Sequence, residues 1–166
     1  MIRKCWVDDT QRIYFIINEA AKAYDGVIPA DRYHQPYMPR DELEAEMERV
    51  TFFGWEANEE LVGIMGIEPI KEITLIRHAY VLLQWQQQGI GSKLLNYIKS
   101  LATTPRLLVG TWADARWAIA FYQKRGFSLL PEKDELLKTY WNVPQRQIET
   151  SVVMGINAGK GTKELL

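Results

Sequence analysis

One segment organises this sequence: Tyr80-Val81-Leu82-Leu83-Gln84-Trp85-Gln86-Gln87-Gln88-Gly89-Ile90-Gly91-Ser92. It begins as an apolar run typical of a strand that ends near Leu83, continues as a polar loop and reaches two glycines. Apolar residues then recur at spacings of three and four, which predicts one face of a helix: Leu94, Leu95, Ile98 and Leu101. The segment therefore predicts a strand, a loop and a helix in immediate succession.

The start of this predicted helix is suited to an anion. The first backbone N–H groups of a helix have no partner within it, and the helix dipole favours negative charge there. Gly89 and Gly91 lack the Cβ atoms that would keep a phosphate away from the backbone. A dinucleotide fingerprint would need a third glycine where Leu94 stands, and Gly91-Ser92-Lys93 does not follow the order of a P-loop. The segment predicts a pyrophosphate site of another kind, or else only a tight turn between strand and helix.

Two motifs in this chain resemble those of the GNAT superfamily of N-acetyltransferases, which bind acetyl-coenzyme A. Gln86-x-x-Gly89-x-Gly91 is similar to motif A of that superfamily, Q/R-x-x-G-x-G/A. The run AIAFYQKRGF, residues 118–127, is similar to motif B, A-x-x-[LF]-Y-x-x-x-G-F, and follows at the usual distance. The resemblance covers residues 1–154 and implies an acetyltransferase that uses acetyl-CoA as its cosubstrate.

The predicted elements follow the order that the resemblance associates with the GNAT fold. It implies a mixed α/β domain with a central, mostly antiparallel sheet of about seven strands, flanked by helices and opening in a V between its two middle strands. Residues 1–154 are expected to form this domain and residues 155–166 a flexible tail. The predicted strands are 2–7, 51–57, 61–67, 72–83, 105–112, 127–130 and 147–154. The first predicted helix runs from a cap at Asp8 or Asp9 to Tyr24, and the others are 40–49, 89–102 and 115–125.

The composition is that of an ordinary globular domain. Of the 166 residues, 47% are hydrophobic and 25% are charged, and the formal net charge is −1. This balance provides no basic field for nucleic acid, and no apolar run is long enough to span a membrane. Cys5 is the one cysteine, and neither histidine has metal-site spacing. The sequence therefore predicts a cytoplasmic protein with no metal cofactor, and it leaves a homodimer open.

The resemblance assigns the cosubstrate contacts to two places. The end of the predicted strand, Ala79, Tyr80 and Val81, would pair with the pantetheine arm as another strand would. The loop and helix start would bind the pyrophosphate through Gln86, Gln87, Gln88, Gly89, Ile90, Gly91 and Ser92. Neutral glutamines stand where relatives often carry Arg or Lys, so the helix end and Lys93 must supply the positive charge. Ala115 stands where many relatives carry Asn.

The resemblance also places a tyrosine hydroxyl beside the coenzyme sulfur, which makes Tyr122 the expected acid for the departing thiolate. The alternative for Tyr122 is a core aromatic at helical spacing. His78 is the expected general base, since it shares a predicted strand face with Tyr80 and histidine titrates nearest neutral pH. The alternative is a partly buried histidine that only packs. Glu68 and Glu56 are weaker candidates for the base.

An irregular segment, residues 24–37, is expected to wall the acceptor site because specificity usually lies in loops. Its candidate acceptor-binding residues are Tyr24, Asp25, Tyr33 and Tyr37, with Asp31 as a second possible partner for a cationic amine. A surface loop that covers the core would look the same, and the acidic run 42–48 is expected to be a solvated helix face. The predicted reaction is direct attack of an amine on the acetyl thioester, with a small-molecule or protein amine as acceptor. The alternative is a non-catalytic acyl-CoA-binding sensor or interaction module.

Overall fold

A computed structural model describes residues 1–157 of the chain. Its core is a seven-stranded sheet in the order β1-β2-β3-β4-β5-β7-β6. Every neighbouring pair is antiparallel except β4 and β5, which are parallel. The strands are β1 (Ile2–Lys4), β2 (Thr51–Ala57), β3 (Glu60–Ile70), β4 (Ile73–Val81), β5 (Arg106–Trp112), β6 (Ser128–Leu129) and β7 (Ser151–Asn157).

Helices cover both faces of this sheet. The α-helices are α1 (Thr10–Ala20), α2 (Arg40–Glu46), α3 (Ile90–Leu101), α4 (Arg116–Lys124), α5 (Lys133–Leu136), which continues into a π-helical turn at Leu137–Trp141, and α6 (Gln145–Glu149). Adjacent residues of β2 show the two layers: the Phe52 ring stacks on His78 beside α2, whereas the Phe53 ring meets Tyr97 of α3 at 5.5 Å. None of the helices among residues 1–157 is both long and apolar enough to cross a membrane.

The middle of the sheet is open, as predicted. Strands β4 and β5 pair over four positions, from Ile73 opposite Arg106 to Ile76 opposite Val109. Beyond that point β5 continues to pair with β7 up to Trp112, while β4 continues along β3 up to Val81. The two strands therefore diverge and leave a wedge between them. The predicted fold class, a mixed α/β domain with this opening, is confirmed.

The apolar pattern that predicted α3 is the face that holds it on the sheet. Leu94, Leu95 and Ile98 are fully buried. Fully burying one such side chain stabilises the fold by about 1.5–3 kcal/mol. This packing fixes the N-terminus of α3 at the end of the β4 loop.

The end of the chain differs from the prediction. Residues 147–154 alternate like a strand, but residues 145–149 form α6, because Pro144 has the extended backbone that precedes a helix and Ile148 packs inward. Strand β7 then runs to Asn157, through the first three residues of the predicted tail. Gly155 suits a strand here because a Cβ at this position would lie 2.8 Å from the Leu108 side chain. Residues 158–166 of the predicted tail lie outside the described part of the chain.

Candidate active site

A bulge in β4 gives His78 its position. Gly66 of β3 lies opposite Arg77 and Ile64 lies opposite Tyr80, so two residues of β4 face the single Met65 between them. His78, the first of these two residues, has a positive φ of 54°. The extra residue interrupts the regular alternation of the strand, and it turns the neighbours Arg77 and His78 toward the same carboxylate.

That carboxylate belongs to Glu46, which was expected on a solvated helix face. The expectation is wrong for this residue, since Glu46 is only 6% exposed. One carboxylate oxygen lies 2.5 Å from His78 Nε2 and accepts a hydrogen bond of 3.1 Å from Arg77. Burial acts to raise the pKa of Glu46, but the hydrogen bond from His78 and the charges of Arg77 and Arg49 hold it below the ordinary value. Glu46 is therefore a buried, ionised partner of His78.

The two weaker candidates for a base are both held in ion pairs. Glu68 accepts a hydrogen bond of 2.8 Å from Arg77 and pairs with Arg49 at 3.2 Å. Glu56 pairs with Arg3 at the far edge of the sheet. Neither residue lines the cavity that His78 lines.

At Val81 of β4, the backbone N–H and C=O groups face the opening between the strands. Leu82 donates its N–H to Val62 of β3, and since successive residues of an antiparallel strand alternate sides, the N–H and C=O of Val81 point away from β3 and toward the opening. The Gln86 side chain donates to that C=O at 2.9 Å. The Val81 N–H is thus directed into the wedge between the strands.

The loop after β4 leads into the N-terminus of α3 with the geometry of an anion cradle. Gly89 has a φ of 81°, and a Cβ built on it would meet nothing within 4 Å, so the backbone is open there. The Lys93 N–H donates to Gly89 O at 3.0 Å, and the amides of residues 90–92 precede it in the first turn. Gly91 serves a second purpose, since a Cβ there would lie 3.2 Å from the Phe121 ring. This end of α3 fits a pyrophosphate group.

The positive charge at this end of α3 comes from Arg125, which the sequence argument did not single out. Its guanidinium donates to Ser92 Oγ at 2.5 Å and to the Phe121 carbonyl at 2.9 Å, and it lies 3.9 Å from the centre of the Phe121 ring. Lys93, the expected cation, lies over the Trp55 ring at 4.9 Å. Arg125 therefore compensates for the neutral glutamines of the loop.

Tyr122 lies on α4, where the ring of its neighbour Phe121 lies beside Gly91 of α3. Its ring is 5% exposed and meets the Phe121 and Phe127 rings edge-on. Burial, together with the nearby Tyr24, raises the pKa of Tyr122 well above its ordinary value, so the hydroxyl stays protonated at neutral pH. On the cavity side, the Tyr24 ring meets the Tyr80 ring edge-on, with their centres 6.4 Å apart.

A cavity of about 390 Å³ occupies the opening on the side of α1 and α2. It is lined by residues of both strands beyond the point where they part, and by the irregular segment after α1: Arg77, His78 and Tyr80 of β4, Gly110, Thr111 and Trp112 of β5, and Tyr24, Asp31, Arg32, His34 and Tyr37 of the segment. The side chain of His78 therefore faces the same cavity as the ends of β4 and β5 beyond the point where they part.

The four predicted acceptor-binding residues have different positions. Tyr24 and Tyr37 both line this cavity, with ring centres 5.3 Å apart. Tyr33 stacks on Tyr37 but lines a separate cavity of about 190 Å³ beside α1. Asp25 is exposed and lies outside the lining, while Asp31 pairs with Arg146 at 3.3 Å.

Most residues of this cavity were not identified from the sequence, among them Arg32, Glu46 and Trp112. The residues around Glu46 gave no indication that it is buried and paired, because its partner His78 lies 32 residues further along the chain. Within residues 1–157 no group of three or more His, Cys, Asp or Glu side chains is arranged to hold a metal ion.

Comparison with known proteins agrees with this architecture. A family model described as an acetyltransferase (GNAT) domain matches residues 48–129, which include the predicted motifs. The chain belongs to the GNAT superfamily of acetyltransferases. A search of curated protein sequences finds no match.

Solved structures share the fold at low sequence identity. PaiA N-acetyltransferase from Thermoplasma acidophilum, in complex with coenzyme A, has a TM-score of 0.69 at 15% identity, over 95% of this chain and 98% of that one. The ribosomal-protein-S18-alanine N-acetyltransferase from Escherichia coli has a TM-score of 0.69 at 17% identity, over 95% and 93%. The Smu.2055 protein from Streptococcus mutans has a TM-score of 0.72 at 15% identity, over 95% and 99%.

Proposed function

We propose that this protein transfers the acetyl group of acetyl-CoA to an amine by direct attack of the amine on the thioester. The observation that carries the proposal is the wedge between β4 and β5, which is occupied by the cavity that His78 lines. The related fold of the Thermoplasma enzyme, solved with coenzyme A, supports acetyl-CoA as the cosubstrate.

Acetyl-CoA binding requires a site for the pyrophosphate and a channel for the pantetheine arm. The amides at the start of α3 and the guanidinium of Arg125 provide hydrogen bonds and positive charge for the pyrophosphate. The edge of β4 at residues 79–81 has polar backbone groups that pair with an extended amide chain as a strand would. The thioester then lies beside Val81.

The attacking amine has to lose a proton. A lysine-like amine with a pKa of about 10.4 is less than roughly one part in a thousand neutral at pH 7, so a base must assist. An ionised carboxylate only accepts hydrogen bonds, so Glu46 holds the proton of His78 on Nε2 and leaves Nδ1 as the basic nitrogen. His78 accepts the proton of the amine in this scheme, and Glu46 is the positioning residue.

The bonds and charges of the reaction then balance. The amine lone pair forms the new bond to the carbonyl carbon, and the Val81 N–H stabilises the negative charge that develops on the carbonyl oxygen. The carbon–sulfur bond breaks, and Tyr122 gives its proton to the departing thiolate. The acylated nitrogen still carries one proton more than an amide does, and this second proton restores the Tyr122 hydroxyl through solvent, while His78 releases the first proton to water. The products are an N-acetylated amine and free coenzyme A.

The experiment is to measure release of free thiol from acetyl-CoA with a panel of primary amines, alongside calorimetric binding of acetyl-CoA. Saturable, amine-dependent thiol release supports the proposal. Tight binding of acetyl-CoA with no thiol release from any amine in the panel contradicts it and favours the non-catalytic acyl-CoA-binding module.

A further inference from the structure

Arg32 is a cation on the cavity wall with no partner among the residues that the structure describes. It ends the short 3-10 turn Ala30–Arg32, where its own N–H donates to Pro29 O at 2.8 Å. Among residues 1–157, its guanidinium makes no hydrogen bond and no carboxylate lies within 4.0 Å of it. Its Nε is also sealed from solvent. A buried donor left without a partner costs about 1–3 kcal/mol. The same guanidinium lines the cavity, where a bound acceptor group can pair with it.

The acidic residues of the cavity do not neutralise Arg32. The Asp31 carboxylate pairs with Arg146, and the Glu46 carboxylate pairs with His78 and Arg77. Glu42 also lines the cavity, but it is solvent-exposed at the start of α2. Among the described residues, Arg32 therefore has no paired carboxylate in a cavity that must receive the acceptor.

Tyr37 adds a second donor beside Arg32. The Trp112 indole N–H donates to the Tyr37 hydroxyl at 2.9 Å, which fills one acceptor position and leaves the hydroxyl proton free to donate. Burial raises the pKa of Tyr37 well above its ordinary value, so the proton stays in place, although the charge of Arg32 acts in the other direction. A guanidinium and a phenol together suit a carboxylate.

We propose that the acceptor is a small primary amine that also carries a carboxylate, as an amino acid does, and that Arg32 and Tyr37 bind that carboxylate. The inference rests on the proposed function for the fate of the amine, but not for the binding of the carboxylate. A cavity of about 390 Å³ has the size of a small-molecule site. In this arrangement Arg32 and Tyr37 anchor one end of the molecule, and the amine lies toward His78.

The test uses matched pairs of molecules that differ only in the carboxylate: phenylalanine with 2-phenylethylamine, leucine with isoamylamine, and lysine with cadaverine. Each is measured for binding to the coenzyme A-loaded protein by calorimetry, and for thiol release with acetyl-CoA. The variants are Arg32→Gln and Arg32→Lys, with Arg40→Gln as the control that removes an exposed arginine outside the cavity lining.

We expect at least one pair in which the amino acid binds about tenfold or more tightly than the decarboxylated amine, as a charge-assisted hydrogen bond predicts. Arg32→Gln should abolish that preference without changing the binding of the amine, Arg32→Lys should keep part of it, and Arg40→Gln should keep all of it. Equal binding within every pair, or no binding of any member, overturns the inference. Arg32-dependent binding without thiol release supports the carboxylate site and contradicts the proposed function. Acetylation of amines at equal rates with and without the carboxylate supports the proposed function and contradicts the carboxylate site.

Discussion

The Nε2 atom of His78 lies 2.5 Å from a carboxylate oxygen of Glu46, although 32 residues separate them in the chain. The pair joins a bulged strand to the last residue of α2, at the wall of the cavity between β4 and β5. Two separate predictions follow from this contact, one for the pH dependence of activity and one for the free energy of unfolding.

Replacing His78 should remove the acid-side fall of kcat/KM, because a protonated imidazole cannot accept the proton of the amine. His78→Asn is the suitable variant, since the φ of 54° at this position is tolerated by Asn and strained for Ala. We expect activity to fall by about 10²–10⁴-fold. If the acid-side fall persists in His78→Asn with activity intact, the proton leaves through water instead.

Glu46→Gln should destabilise the fold by about 1–3 kcal/mol at neutral pH, because it withdraws a buried charge from Arg77 and His78. The pKa of Glu46 is lower in the folded chain than its ordinary 4.5, so the stabilisation is complete above that pH and is lost as the pH falls through the folded-state value. Urea unfolding of both proteins at neutral and acid pH measures the difference. Glu44→Gln, an exposed residue of the same helix paired with Arg40, is the control and should change little. A difference that stays constant down to acid pH would contradict the ion pair.

Tyr122→Phe should lower kcat by about 10–100-fold, within the range of general acid catalysis, and should leave the affinity for acetyl-CoA unchanged. The hydroxyl makes no hydrogen bond to another of the residues 1–157, so its removal should also leave the melting temperature nearly unchanged. Tyr97→Phe on α3 is the matched control for loss of a phenol. A wild-type rate in Tyr122→Phe would make Tyr122 a core residue only.

Arg125→Gln should weaken acetyl-CoA binding by roughly tenfold at low ionic strength, because it removes the cation next to Ser92 at the start of α3. The loss should shrink as salt is added, since screening weakens the same attraction in the wild-type protein. Calorimetry at two salt concentrations measures both effects, with Lys124→Gln as the control for charge alone. Equal losses in Arg125→Gln and Lys124→Gln would mean that only the overall charge of α4 matters.

A negative charge in the loop should weaken acetyl-CoA binding directly. Gly91→Asp is the substitution that the motif suggests, and on the motif alone it should abolish binding without unfolding the chain. Its side chain would also press on the Phe121 ring, so a binding defect would mix two causes. Gln88→Glu keeps the size of an exposed side chain and should cost about 0.3–1 kcal/mol of binding free energy. Gln145→Glu, the same change at the start of α6, is the control, and equal affinities in the two variants would argue against phosphate binding at residues 86–92.

The sequence predicted the elements whose pattern is local. Strand β2 has the predicted bounds, Thr51–Ala57, and α3 differs by one residue at each end, because alternation and helical spacing are set by neighbours in the chain. Residues 147–150 show where that logic fails, since a short alternating run after a proline suits a helix or a strand equally well.

The polar part of the site depends on contacts that no local pattern encodes. The bulge at His78 arises from the register between β3 and β4, and it brings Arg77 and His78 to one carboxylate. Arg125 reaches Ser92 across two helices, and Arg32 reaches the cavity from an irregular segment. Such partners become visible only once the chain is folded.

The four paired positions between β4 and β5 also have a mechanical consequence. They join a four-stranded half of the sheet, β1 to β4, to a three-stranded half, β5 to β7, and past Ile76 the halves share no ladder. A pantetheine arm seated in the wedge would act as a short extra strand that bridges both halves. Bound acetyl-CoA would then form part of the folded structure. The free energy of unfolding of the domain would therefore rise with the acetyl-CoA concentration.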